Sequence, residues 1–156
     1  MIKNRRQLMY VMLAFCSVAD ATLPIDGVYL NKGQATIRGP NGVQRLSKAK
    51  DCMVIKKKST GYMIYVQSIQ HLGDACYLDG SFFWNGDSGV VMDGDEKTGL
   101  KILLRNNKFS FLAGDDLSIL CGQKADWNNV YFPMSSKINM RINPESLSKS
   151  CPAWNR

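Results

Sequence analysis

The stretch GDACYLDGSFFWNGDSG, Gly73 to Gly89, sets a cysteine and an aromatic run directly before a turn. Cys76 to Trp84 is rich in residues that pack well on a pleated surface, so it reads as a core strand with Leu78 and the aromatics providing burial. Asn85-Gly86-Asp87 then supplies turn chemistry. Outward from this stretch the same unit repeats, with short β-branched and aromatic runs separated by Gly, Asn and Asp and no sustained helical period. The predicted strands are 33–38, 43–46, 52–57, 62–69, 76–84, 89–93, 100–104, 108–113, 117–120 and 130–132. Many short strands at this spacing predict an all-β chain, an antiparallel β-sandwich or flattened barrel. Residues 135–156 are rich in Ser, Asn and Pro and read as a coil-like tail on the surface.

The first residues have the layout of a secretory signal. Lys3, Arg5 and Arg6 precede an apolar run from Leu8 to Val18, and Ala19-Asp20-Ala21 supplies a cleavage site. The run is too short for a membrane span, which needs about 20 apolar residues. Leu13-Ala14-Phe15-Cys16 approaches a lipoprotein signal, but Phe15 is large where a small residue belongs, so lipidation is the weaker expectation. Residues 1–21 are therefore expected to be a signal peptide and 22–156 a single β domain, periplasmic after export. Signal removal takes away three basic residues and one acidic residue, which turns a net charge of +7 into +5. That mild excess lacks the basic stripe interleaved with aromatics that nucleic-acid binding uses.

Cys52, Cys76, Cys121 and Cys151 are four cysteines in an exported chain, which reads as two disulfides. Met53 to Lys58 and Tyr62 to Val66 form a hairpin around Ser59-Thr60-Gly61. Its open end brings Cys52 towards Ile69 and the loop that delivers Cys76. Of the three possible pairings this favours Cys52 with Cys76, leaving Cys121 with Cys151. His71 is the only histidine and no C-x-x-C pair exists, so no metal site and no cofactor are expected.

Gly86-Asp87-Ser88-Gly89 matches the core of the nucleophile motif of chymotrypsin-like proteases, but His71 lies too close upstream and no aspartate is marked out to orient it, so no catalytic residue is assigned. Asp93-Gly-Asp95-Glu96-Lys97-Thr98-Gly99 resembles a calcium loop that lacks its final bidentate glutamate, and a hairpin loop between Val91 and Leu100 accounts for it. Trp84, Trp127 and Trp154 read as core or covering aromatics before they read as a sugar platform. From Lys32 to Lys58 there are eight basic residues and one acidic; from Ser59 to Glu96 there are six acidic and no basic. This reads first as solvated strand faces, with Lys56 to Lys58 protecting an edge, and in the sharper alternative as an acidic face that attracts a cationic partner.

An up-and-down tracing brings the turn Ser59 to Gly61, the loop Asn85 to Ser88 and the turn Asn106-Asn107 to one end. That end offers Ser59, Thr60, Tyr62, Asn85, Asp87, Ser88 and Asn107, a polar set with one aromatic anchor, which suits a protein interface better than catalysis.

The second half of the chain carries Gly73-x-x-Cys76-x-Leu78-x-Gly80-x-Phe82, then Cys121-Gly122-x-x-Ala125-x-Trp127, then Phe132-x-x-Ser135-Ser136. Over roughly residues 50–137 this resembles small periplasmic β-sandwich proteins of the lysozyme-inhibitor-like group, some of which are immunity proteins against peptidoglycan-cleaving secretion-system effectors. The resemblance implies a non-enzymatic binder that plugs the cleft of a cell-wall hydrolase. It also implies an inhibitory loop with a Ser-Gly motif near a tyrosine, and both Ser88-Gly89 and Ser59-Thr60-Gly61-Tyr62 match it in part. The alternative expectation is a secreted carbohydrate-binding or adhesin-like β module, and monomer and homodimer both remain open.

Overall fold

The structure, a computed structural model, describes residues 25–38, 41–42, 44–70, 74–85, 87–114, 121–122 and 125–152, with the backbone alone for 33–38 and 45–50. The leader expected at residues 1–21, the strand expected at 117–120, His71 and Trp154 lie outside the described residues. Seven strands follow one another as an antiparallel meander: β1 (Gly27–Arg38), β2 (Gln44–Lys58), β3 (Gly61–Ile69), β4 (Ala75–Asn85), β5 (Ser88–Asp93), β6 (Glu96–Arg105) and β7 (Lys108–Leu112). Two short strands complete the sheet. β8 (Tyr131–Pro133) pairs with β7, and β9 (Lys137–Ile138) pairs with β1 at the opposite edge. The single 3₁₀ turn Met134–Ser136 joins them, so the segment 131–138 draws the two edges of the sheet together into a nearly closed barrel. Asn31 Nδ2 donates to the Tyr131 carbonyl at 3.1 Å across this seam, and the Tyr29 ring meets Phe109 edge-on at 5.2 Å. The expected all-β antiparallel fold with two disulfides is what forms.

Alternation sorts the strands into an inner and an outer face. Ile64, Val66 and Ser68 of β3 point inward, as do Cys76, Leu78 and Phe82 of β4. Tyr29, Phe82, Phe109, Trp127 and Phe132 are the bulkiest aromatics of the filled interior. Each such side chain contributes about 1.5–3 kcal/mol of burial. Tyr29 keeps its hydroxyl satisfied by donating to the Ile25 carbonyl at 2.7 Å. Burial, with Asp26 nearby adding to it, pushes that phenol up to about 12.

A second, smaller apolar layer lies outside the barrel. Val28, Cys52 and Val54 face outward from β1 and β2 and are covered by Leu147 and the C-terminal segment. Of the coil expected over 135–156, residues 135–138 belong instead to the closing segment; beyond β9 the described tail is mostly coil, with a 3₁₀ turn at Leu147–Ser150 and its own short-range bonds. The Ser150 hydroxyl accepts from Asn143 N at 2.7 Å, and the Asn143 side chain accepts from Glu145 N at 2.9 Å.

The disulfides are Cys52–Cys151 and Cys76–Cys121, and not the expected Cys52–Cys76. Cys52 stands opposite Gln67 of β3, whereas Cys76 stands opposite Ser68. Gln67 and Ser68 are consecutive, so the two cysteines project from opposite faces of the sheet and cannot meet. Two boundaries also differ. The expected strands 43–46 and 52–57 are parts of the single strand β2, and β1 begins at Gly27, ahead of the expected start at Gly33. The expected hairpin loop between Val91 and Leu100 is only a two-residue turn at Gly94-Asp95, with Asp93 paired to Glu96.

The Cys52–Cys151 bridge closes 99 residues of sequence. Replacing both cysteines by serine is expected to lower the unfolding free energy by about 3–5 kcal/mol. Urea unfolding measures the loss, and non-reduced peptide mapping should return Cys52 joined to Cys151 and Cys76 joined to Cys121.

Candidate functional site

In a meander, successive connections alternate between the two ends of the barrel. The β2–β3, β4–β5 and β6–β7 turns therefore share one end with the segment 134–136, and the β3–β4 and β5–β6 connections share the other. Ser59, Thr60, Asn85, Asp87, Ser88 and Asn107 all fall at the first end, as the sequence tracing predicts. Each turn is specified locally. Lys58 pairs with Gly61, so Ser59 and Thr60 form a two-residue loop, and Gly61 takes φ 100°. A Cβ at Gly61 would also lie 2.7 Å from the Phe83 ring. Asn106 and Asn107 have φ of 51° and 56°, the left-handed pair that a tight hairpin needs and that asparagine tolerates. The Asn107 carbonyl accepts from Met134 N at 2.8 Å, which ties this turn to the closing segment.

Below the turns the barrel mouth is filled by rings. Tyr62 stacks on Phe82 with centroids 5.0 Å apart, and Trp84 meets Phe82 edge-on at 5.5 Å. Gly89 leaves the room this needs, because a Cβ there would lie 2.7 Å from Phe82 Cδ2. Tyr62, Trp84 and Leu104, one beside each turn, are half-buried against this core. Tyr62 is thus committed to packing and is not the free aromatic anchor expected. The exposed ring beside the turns is that of Phe83, 45% exposed, which covers Gly61. The signal was present in Phe82-Phe83-Trp84: with Phe82 and Trp84 inward, the residue between them must face out. A second exposed aromatic, Tyr131, lies under the Lys108 ammonium at 5.2 Å.

Ser88 is half-buried, with its backbone paired to Asn85 and Leu103. Gln70 and Asp74, which flank His71, stand at the other end of β4 from Ser88, about 30 Å away at strand spacing. Ser88 and the chain on either side of the histidine are not brought together. Asp93, Asp95 and Glu96 are exposed on their tight turn, and no group of three or more potential metal ligands occurs among the described residues. Trp127 is 1% exposed in the core, so it offers no surface to a sugar ring.

The acidic stretch is divided by the meander. Asp74, Asp93, Asp95 and Glu96 lie at the end opposite the candidate turns, Asp79 projects from mid-β4, and only Asp87 shares the turn end. The expected acidic attraction therefore does not act where the candidate residues are. The opposite end is also the more firmly tied. Gln70 and Asp126 exchange two hydrogen bonds of 2.9 Å beside the Cys76–Cys121 bridge, and Gly122 N donates to the Ala75 carbonyl at 3.0 Å.

Among the described residues Asp51 is the most perturbed acid. Burial raises its carboxyl to about 6, against the opposing effect of hydrogen bonds from Ile69 N, at 3.0 Å, and the Ser68 hydroxyl. It lies at the end away from the turns, which makes it a structural acid and not part of the candidate surface. Comparison with family models, with curated proteins and with solved structures finds no match to the chain.

The raised value fixes the sign of a pH effect. The folded state holds the Asp51 proton more tightly than the unfolded chain, so this stabilisation is complete below about pH 4 and is lost as pH rises through about 6. Asp51→Asn is expected to abolish that dependence and to raise stability at pH 7.5 by about 1–2 kcal/mol, allowing for screening. Denaturant titrations of both proteins at pH 4.5 and 7.5 check it.

Proposed function

We propose that the protein is an exported, non-enzymatic inhibitor or immunity protein that docks on a peptidoglycan-degrading enzyme through the turn end of its barrel. One observation carries the reading: three hairpin tips with polar side chains stand together at one end, beside the exposed ring of Phe83, on a scaffold closed at both edges. Loops held this way lose little freedom on binding, which is the main route by which a small rigid binder gains affinity. Ser59, Thr60, Asn85 and Asn107 offer hydroxyls and amides that can take the place of sugar hydroxyls in a hydrolase cleft, and Phe83 supplies an apolar anchor. Two disulfides agree with an oxidising location, and the periplasm is the site of action proposed. No helix among the described residues is long and apolar enough to cross a membrane.

The test is inhibition of muramidases and cell-wall amidases by the purified protein. Phe83→Ala is expected to weaken inhibition by about 30-fold and Thr60→Ala with Asn107→Gly by about 3–10-fold, with melting temperatures within a few degrees of the parent. Full enzyme activity across the panel, with the protein in large excess, would count against the reading. Retention on insoluble peptidoglycan, with no hydrolase inhibited, would favour the carbohydrate-binding alternative.

A further inference from the structure

The turn end carries a charge of its own that the linear sequence conceals. β2 delivers Lys56, Lys57 and Lys58 to it, and the β6–β7 turn adds Arg105 and Lys108 on either side of Asn106-Asn107. All but the half-buried Lys56 are exposed. Asp26 and Asp87 are described carboxylates at this end, and Glu145 shares an adjoining groove with Arg141. Asp26 is already engaged, since it accepts from Lys57 N at 3.1 Å and pairs with the Lys56 ammonium at 3.6 Å.

The cationic character continues around one side. A groove of about 690 Å³ runs between Asp26, Gly27 and Lys56 on the barrel and residues 137–142 of the C-terminal segment, which bring Lys137 and Arg141. Gly27 shapes this groove, because a Cβ there would collide with Lys137 Cε; the lysine stem lies across the glycine. The floor includes Ile138 and the 42% exposed Met140, so a partner here would meet apolar surface among Arg141, Lys137 and the Lys56–Asp26 pair.

Resting on the reading of the turn end as a docking surface, we propose that its partner presents an acidic protein surface, with carboxylates facing Lys57, Lys58 and Arg105 and extending towards the Lys137–Arg141 groove. Charge complementarity of this kind raises the association rate and selects among partners, and it is screened by salt. A hydrolase cleft lined with carboxylates has that chemistry. The preference is opposite to the cationic partner that the acidic run of sequence predicts, because the fold carries most of that run to the far end.

The inference is tested by titrating the full mature protein with poly-L-glutamate, poly-L-lysine and soluble peptidoglycan strands at 20 and 200 mM NaCl, following binding by fluorescence anisotropy. Poly-L-glutamate is expected to bind at 20 mM NaCl and at least tenfold more weakly at 200 mM. The variant Lys57→Glu/Lys58→Glu/Arg105→Glu should lose at least tenfold at low salt. Asp93→Asn/Glu96→Gln, at the far end, and Arg45→Glu/Lys48→Glu, on the part of β1–β2 beyond β3, should bind within twofold of the parent. The neutral variant Lys57→Gln/Lys58→Gln/Arg105→Gln, with an intermediate loss, guards against a folding defect. No binding of poly-L-glutamate, equal binding by the charge-reversed variant, or tighter binding of peptidoglycan strands to the same residues overturns the proposal. The two readings fail separately. A hydrolase inhibited equally by parent and charge-reversed protein keeps the inhibitor reading and removes the acidic partner; turn-end binding of poly-L-glutamate with no hydrolase inhibited does the reverse.

Discussion

Closure of the sheet by residues 131–138 is the constraint on which the other features depend. An open meander of seven strands would leave the β1 and β7 edges with unpaired amides and carbonyls, and its inner face would leave Tyr29 and Phe109 in water. One short segment relieves part of both, since β8 pairs with β7 at Lys108, Phe109 and Ser110 and β9 pairs with β1 at Val28 and Tyr29. The same segment inserts Phe132 into the interior and brings Tyr29 within ring contact of Phe109. Closure also fixes the positions of the turns. Once the strands are locked in one ring, the β2–β3, β4–β5 and β6–β7 tips can shift relative to one another only by distorting the barrel.

The two disulfides act on different layers because the sheet has two faces. Cys76–Cys121 joins an inward cysteine to the long connection after β7, while Cys52–Cys151 pins the C-terminal segment over outward-facing Val28 and Val54. This covered outer layer explains where the sequence misleads. Gly27-Val28-Tyr29-Leu30 and Cys52-Met53-Val54-Ile55 are apolar on both faces, so they lack the apolar–polar alternation that marks a strand with one face in water. The first of these was missed as part of β1 for that reason. By contrast, β3 and β4 bury mainly one face and were legible almost to the residue, as were the turns marked by Asn, Gly and Asp. The disulfide pairing was not legible from proximity along a hairpin, because proximity says nothing of the face. That depends on the register of β3 against both neighbours, which places Cys52 and Cys76 one residue out of phase.

The candidate surface shows the same division between what a local pattern can and cannot carry. Which turns share an end follows from counting strands, so the shared position of Ser59, Asn85 and Asn107 was readable. The sign of the charge there was not. A meander sends alternate turns to opposite ends, and a run of sequence rich in acids is therefore split, with Asp93, Asp95 and Glu96 leaving on one turn and Asp87 on another. Tyr62 and Phe83 exchange their expected roles for a comparable reason. Composition identifies an aromatic near a turn, but strand parity decides whether its ring fills the mouth or faces solvent.

The filled mouth bears on what kind of function this end can perform. A catalytic or ligand-binding barrel keeps its mouth open, so that groups converge on a cavity. Here Tyr62, Phe82 and Trp84 occupy that space as a packed stack, and Leu104 completes it beneath the third turn. The stack fills the space beneath the turns and supports them from within. The rings also couple the turns mechanically, since Tyr62 adjoins the first turn and Trp84 the second, and both rest on Phe82. Displacing one tip therefore disturbs the packing under its neighbour, and the three are held in the arrangement in which a partner would meet them.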